Sequence, residues 1–308
     1  MTNCMQRVDV EKSSAILKNN LLHMMPHQGD YPVTFCHMTL YRRDVGDREH
    51  IPVVYEPVLI IIAQGEKSIR IGTETQRYGE GSYFITGVDM PTACAVQGVS
   101  PERPFLSLAL KLDRSLIARL TVEAPQVDVR RERVTRGTMI ASLDAGLIDA
   151  VLRLVELVDQ PDHATVLAPL IVRELHYRLL TGKFGAQLRS INMSGTPSNT
   201  IAQSILWLKH NYKRLLVIDE LARIAHMAPS TFHKHFKEVT GMSPLQFQKR
   251  LRLERAQQLM LTRNLDAAQA ALEVGYESPQ QFGREYKRLF GDPPHRDIVK
   301  MRGGRRTV

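Results

Sequence analysis

The last third of the chain repeats itself at an offset of 50 residues: Pro229, Phe232, Lys237, Gly241 and Pro244 return as Pro279, Phe282, Lys287, Gly291 and Pro294. Phe236 returns as Tyr286, and Lys234 returns as Arg284. Each copy follows a short helix-like segment, LVIDELARIA in the first and LDAAQAALEV in the second. A short helix, a tight turn and a second helix with basic outward positions is the pattern of a unit that reads DNA. The pattern constrains the fold strongly, because spacings of three and four commit one face of each second helix to a core and leave the other to solvent.

Charge separates along the same line. Residues 199–308 carry 19 Lys/Arg against 10 Asp/Glu, whereas residues 1–198 carry 22 of each. The whole formal charge of +9 therefore sits on the repeat region. A basic module beside a neutral one points to a polyanion partner for that module alone.

Within the first copy, Leu221, Ala222, Ile224 and Ala225 are expected on the inner face of the leading helix, and Ala225-His226-Met227 as the turn. Phe232, Phe236 and Val239 face inward, which leaves Ser230, Thr231, His233, Lys234 and Lys237 outward as candidate DNA contacts. In the second copy Phe282, Tyr286 and Leu289 point in. Gln280, Gln281, Gly283, Arg284 and Lys287 point out. Glutamine pairs bidentately with adenine and arginine with guanine, so Arg284 is the foremost candidate for direct readout. Between the copies, SPLQFQKRLRLERAQQLML is expected as one helix with Ser243 as N-cap and Pro244 at its first position. A rod of that length, about 28 Å at 1.5 Å per residue, suits two helices in neighbouring major-groove segments, about 34 Å apart.

Residues 199–300, carried by LARIAHMAPSTFHKHFKEVTGMSPLQFQKRLRLERAQQLM and ALEVGYESPQQFGREYKRLFGDPP, resemble the DNA-binding domain of the AraC/XylS family of bacterial transcription regulators. The resemblance places the family's base-contacting positions on Ser230, His233 and Lys234, then on Pro279, Gln280 and Arg284. His226 stands where the family often has glycine, and Pro279 has no side-chain donor. The front half resembles the cupin-like sensor domain of one branch of that family through YEPVLIIIAQGEK, YGEGSYFITGVDMP and PLIVRELHYRLLTG. Such a domain implies a small-molecule effector or a dimerisation surface.

The organisation expected from these readings is α+β. Residues 1–30 form a helical segment ending in the turn-like HQGDYP, and 31–181 a cupin-like β-barrel or sandwich with a helical hairpin around Gln160-Pro161. Residues 182–198 read as a linker and 199–300 as an all-α domain, with helix-turn-helix units at about 217–239 and 265–289 joined by the long helix; 301–308 is a basic tail. Asp113 is expected to cap a helix, followed by an irregular stretch to about Met139. Pro169 is expected near a first turn and Asn199 as a cap.

The rest of the sequence narrows the chemistry. No apolar run approaches the roughly 20 residues of a membrane span, and the N-terminus lacks signal-peptide patterning. Cys4, Cys36 and Cys94 show neither a disulfide framework nor metal-ligand spacing, so a reducing cytoplasm and no metal or cofactor are expected. No histidine lies between Ile51 and Asp162, which argues against a cupin metal centre. No catalytic constellation is evident. Cys94, on an expected strand facing the interior, is either a small buried residue or a sensor thiol. The reading is a ligand-responsive, sequence-specific regulator, activator or repressor, of double-stranded promoter DNA. A small effector, RNA polymerase and a second copy of the chain are its candidate partners. An alkyl-transferring enzyme fused to a DNA-binding module and a non-specific architectural binder are the rival classes; the latter would lose affinity uniformly and steeply with salt.

Overall fold

A computed structural model describes residues 2–47, 50–123 and 136–304. The first part is α1 (Thr2–Met24), then β1 (Gly29–Val33), β2 (Met38–Arg43), β3 (Ile51–Tyr55), β4 (Val58–Gln64), β5 (Glu66–Ile71), β6 (Glu74–Gly79), β7 (Ser82–Thr86), β8 (Met90–Gln97) and β9 (Phe105–Lys111). After α2 (Arg114–Glu123) and β10 (Thr138–Ser142) the chain is helical. α3 (Ala145–Glu156), α4 (Pro161–Thr181), α5 (Gly185–Asn192) and α6 (Pro197–His210) come first. Then come α7 (Ile218–Ile224), α8 (Pro229–Thr240), α9 (Pro244–Thr262), α10 (Ala267–Glu273), α11 (Pro279–Phe290) and α12 (Pro294–Gly304). The chain is thus an antiparallel β domain followed by a helical domain.

The strands form two antiparallel sheets, β1-β2-β9-β4-β7-β10 and β3-β8-β5-β6. β4 explains how they pack. Its run VLIIIAQ is buried at every position, because alternate residues meet different layers. Val58, Ile60 and Ile62 join Ile69, Tyr78, Phe84, Cys94, Val96 and Phe105 in a core between the sheets. Leu59, Ile61 and Ala63 join a second core on the other face, roofed by Leu17 and Leu21 of α1 and by α3. A strand covered on both sides carries no polar alternation, and β4 carries none.

α3 begins at Asp144, whose carboxylate accepts from Leu147 N at 2.9 Å. It buries Leu147, Ile148, Val151, Leu154 and Val155 against α4, giving the expected hairpin. Asp113 likewise accepts from Ser115 N and Leu116 N at the start of α2. His176 of α4, fully buried, accepts from Asp113 N at 3.0 Å and donates through Nδ1 to Val172 O, which ties α4 to this corner.

Several expectations are corrected. Pro169 lies inside α4, since the helix starts eight residues earlier at Pro161; its missing N–H falls mid-helix. The stretch expected to be irregular to about Met139 runs into strand β10 (Thr138–Ser142), an edge strand on β7; 124–135 lies outside the described residues. HQGDYP already contains the start of β1 at Gly29. The stretch expected as linker holds α5, with Leu188 and Ile191 buried. Two apolar residues on an eight-residue helix are too few to display a period. Finally, Thr196 caps α6 by accepting from Asn199 N at 3.1 Å, whereas the Asn199 amide donates to Ile191 O at 2.8 Å. Of the expected basic tail, α12 covers the first residues through Gly304, and 305–308 lie outside the description.

Candidate nucleic-acid interface

The two repeat units are built on the same plan. In the first, α7 ends at a turn where Met227 N donates to Ala222 O at 2.9 Å; in the second, α10 ends where Tyr276 N donates to Ala271 O at 2.9 Å. These bonds show that the leading helices correspond at an offset of 49, one less than the second helices. The extra residue is Glu277 in the second turn; after it Ser278, the counterpart of Ala228, caps α11 by accepting from Gln281 N at 3.2 Å. Ala228, at the N-cap of α8, makes no side-chain cap. His226 has φ 53°, and its counterpart Gly275 has φ 87°. A histidine in the left-handed region costs on the order of 1 kcal/mol, which glycine avoids.

Below the exposed faces lie aromatic stacks. Phe232 and Phe236 are fully buried with ring centroids 5.6 Å apart, and Phe236 meets Phe247 of α9 edge-on at 5.4 Å. In the second unit Tyr276, Phe282, Tyr286 and Phe290 form a chain with successive centroids 5.3, 5.5 and 4.3 Å apart. Tyr286 Oη donates to Asp297 Oδ2 at 2.6 Å, which fixes α11 to α12. α9 carries the capping box expected at its start: Ser243 accepts from Gln246 N, and Gln246 Oε1 accepts from Ser243 N at 2.9 Å.

On the outer faces, Ser230, Thr231, His233, Lys234 and Lys237 of α8 are exposed, as are Gln280, Gln281, Arg284 and Lys287 of α11. Gly283 is half-buried. The two glutamines differ from the expectation of free readers. Gln280 Oε1 accepts from Ser278 Oγ at 3.1 Å, and Gln281 donates to Glu285 Oε1 at 3.1 Å. Glu285 also accepts from Lys249 Nζ at 2.6 Å and from Tyr276 Oη at 2.8 Å. Among the described residues, Arg284, Lys287 and the five outward side chains of α8 make no such bond.

The β domain reaches the first unit directly. Gly137 N donates to Val239 O at 3.0 Å. The β5–β6 turn abuts the end of α8, so that a Cβ on Gly72 (φ +60°) would stand 2.3 Å from Gly241 O. Lys209 of α6 pairs with Glu56 at 2.5 Å and with Asp89 at 2.6 Å; Asp89, 2% exposed at its side chain, also holds Arg114 at 2.8 Å. The core that begins at Leu17 runs without a break through Leu221, Phe232, Phe236 and Phe247 to Leu251, whereas Leu253 through Ile298 form a separate core. On α9, both carboxylate oxygens of Glu254 are buried without a hydrogen-bond partner, and burial raises its pKa to about 8.

A second place of interest lies between the sheets. A cavity of about 360 Å³ is lined by Tyr41, Arg43, Ile60 and Phe105 from one sheet and by Tyr55, Lys67 and Cys94, among others, from the opposite sheet. Lys67 Nζ donates to Tyr55 Oη at 2.8 Å, and Tyr55 Oη lies 3.4 Å from Cys94 Sγ. Burial lowers the Lys67 pKa and raises that of Tyr55. Cys94 is 7% exposed. Among the described residues no group of three or more His, Cys, Asp or Glu is arranged to hold a metal ion, and no helix is long and apolar enough to cross a membrane.

Two helix-turn-helix units on a shared helix, appended to an antiparallel β domain, define a DNA-binding transcription regulator. Residues 36–187 match the AraC-type transcriptional regulator N-terminus and 221–297 a helix-turn-helix domain; the chain belongs to the AraC family of transcription regulators. Among its relatives are the HTH-type transcriptional regulator ArgR of Pseudomonas aeruginosa, 28% identical over 55% of this chain and 50% of that protein. The virulence regulon transcriptional activator VirF of Yersinia enterocolitica is 25% identical over 77% of this chain and 86% of that protein. The fold is that of ToxT from Vibrio cholerae, solved bound to an unsaturated fatty acid: TM-score 0.54 at 12% identity, covering 84% of this chain and 94% of that one.

Proposed function

We propose that the protein is an effector-responsive, sequence-specific regulator in which α8 and α11 enter two adjacent major-groove segments of promoter DNA. The observation that carries this is the paired arrangement of free basic and polar side chains over buried aromatic stacks, on two helices joined by one capped rod. Lys234 and Arg284 occupy equivalent positions. With Ser230, Thr231, His233, Lys237, Gln280, Gln281 and Lys287, they form the reading surface. The partners of Gln280 and Gln281 are exposed side-chain bonds, which base edges can replace.

The effector binds in the cavity between the sheets, with no metal or other cofactor. ToxT, which shares the fold, has been captured with a fatty acid. The domains keep the division 1–30, 31–181, 182–198, 199–300 and 301–308, with 182–198 acting as a folded connector. α4 supports a homodimer, because Val166 and Leu170 leave it 67% and 61% exposed on one side. RNA polymerase is the partner through which bound protein changes transcription. The protein works in the cytoplasm, on the nucleoid, and through binding rather than catalysis.

The test is enrichment of genomic fragments by the full-length protein, followed by footprinting at physiological salt. Two protected segments about 10 base pairs apart are expected. Uniform protection that vanishes with salt on every sequence would sink the reading in favour of an architectural binder.

A further inference from the structure

Cys94 has no part in reading DNA, yet the fold brings Tyr55 onto its sulfur and Lys67 onto Tyr55 from distant parts of the chain. We propose that Cys94 is a covalent acceptor for small soft electrophiles of the α,β-unsaturated carbonyl class that enter the cavity between the two sheets. This deepens the effector reading given above, since it names the chemistry of the signal, and it rests on that reading only for the consequence at DNA.

Three observations converge. The thiol lines a cavity of about 360 Å³, within the size range of small-ligand sites, whose wall includes Ile60, Val96 and Phe105. Tyr55 Oη lies 2.8 Å from Lys67 Nζ and 3.4 Å from Cys94 Sγ, a contact in which either atom can donate, so the hydroxyl can take the sulfur proton while passing its own to the amine. Lys67 has no carboxylate within ion-pair distance among the described residues, and burial favours its neutral amine, a proton acceptor two bonds of a relay from the thiol.

The step balances without an oxidant. The thiol proton passes through Tyr55 to the Lys67 amine. The sulfur forms a bond to the β-carbon, and the π pair of the C=C bond moves through to the carbonyl oxygen, giving the enolate. The proton then returns through Tyr55 to the α-carbon, so that S–H has added across the double bond. Cys36 offers no such chemistry. It belongs to the core on the opposite face of the six-stranded sheet, and burial pushes its pKa up to about 11. A disulfide between these two thiols would have to breach that sheet.

The test treats purified full-length protein with crotonaldehyde, fixes the product with borohydride, and locates it by intact mass and peptide mapping. One adduct per chain at Cys94 is expected, with none at Cys94 from butanal, which lacks the double bond. Cys94→Ser removes the adduct. Tyr55→Phe slows it by roughly tenfold or more, at an unchanged thermal midpoint. Dominant labelling of Cys36 or of surface lysines, an unchanged rate in Tyr55→Phe, or oxidation of Cys94 by hydrogen peroxide without any crotonaldehyde adduct would each overturn the proposal. Labelling does not depend on DNA, so failure to enrich specific fragments leaves this result standing and strikes the regulator reading alone.

Discussion

The two helix-turn-helix units share a sequence pattern but not a setting. The first is continuous with the β domain. Its aromatic core joins the core under α1 and α3, its α8 terminus is pinned by Gly137 and touched by the β5–β6 turn, and Lys209 is held by Glu56 and Asp89. The second has its own small core and is tied to the rest through α9, the Lys249–Glu285 and Lys213–Glu273 pairs and a contact of α11 with β3. That contact lies outside any shared core, so a change in the β domain reaches α8 through continuous core packing and α11 only through a surface contact. On the proposed function, the first unit is placed to receive the signal and the second to anchor on DNA.

The largest expected difference is in core truncations. Phe236→Ala and Phe282→Ala each remove a fully buried ring and cost about 3–5 kcal/mol. Phe236→Ala is expected to lower the main thermal transition of the whole protein. Phe282→Ala is expected to release only α10–α12, seen by hydrogen exchange as local loss of protection. Equal spreading of both effects would erase the comparison.

Next comes Glu254, on the helix that joins the units. Burial raises its folded pKa to about 8, above the ordinary carboxyl value of 4.5. The native state therefore holds the proton where the unfolded chain has released it. The stability present below about 4.5 is lost as pH rises toward 8. Glu254→Gln is expected to raise the melting temperature at pH 8 by roughly a few degrees and to flatten its fall between pH 5 and 8. An identical pH profile in the variant would show that the carboxyl is not the source.

At the DNA surface, Arg284→Ala is expected to cost about 1–3 kcal/mol of discrimination at one base pair, read by competition with base-substituted sites. A loss that is the same on every sequence would make Arg284 a phosphate contact instead.

The smallest effect concerns the turns. His226→Gly is expected to stabilise the first unit by up to about 1 kcal/mol, since glycine takes φ 53° without strain. Gly275→Ala in the second unit is expected to cost more than that gain, because φ is 87° and a Cβ would meet Lys213 O at 2.5 Å. Chemical denaturation of both variants would rank them.

Much of the helical half was legible beforehand. Phe232, Phe236, Phe282 and Tyr286 lie at helical spacing, so their burial and the exposure of Lys234 and Arg284 followed from period alone. The Ser243 cap was equally local. What escaped were features with weak local signals. α5 is too short to show a period, β10 is a five-residue edge strand, and the one-residue insertion before α11 is hidden because the stronger repeat lies after it.

By itself the sequence determined two DNA-reading units, their outward residues and a basic half beside a neutral one, because helix faces and charge are set by neighbours three and four residues apart. Only the tertiary structure decided that the first unit merges with the β domain while the second stands apart. It alone brought Cys94 to Tyr55 and Lys67, 39 and 27 residues away, and left Glu254 without a partner. Sheet pairing and core packing join positions with no local relation, so no periodicity in the chain announces them.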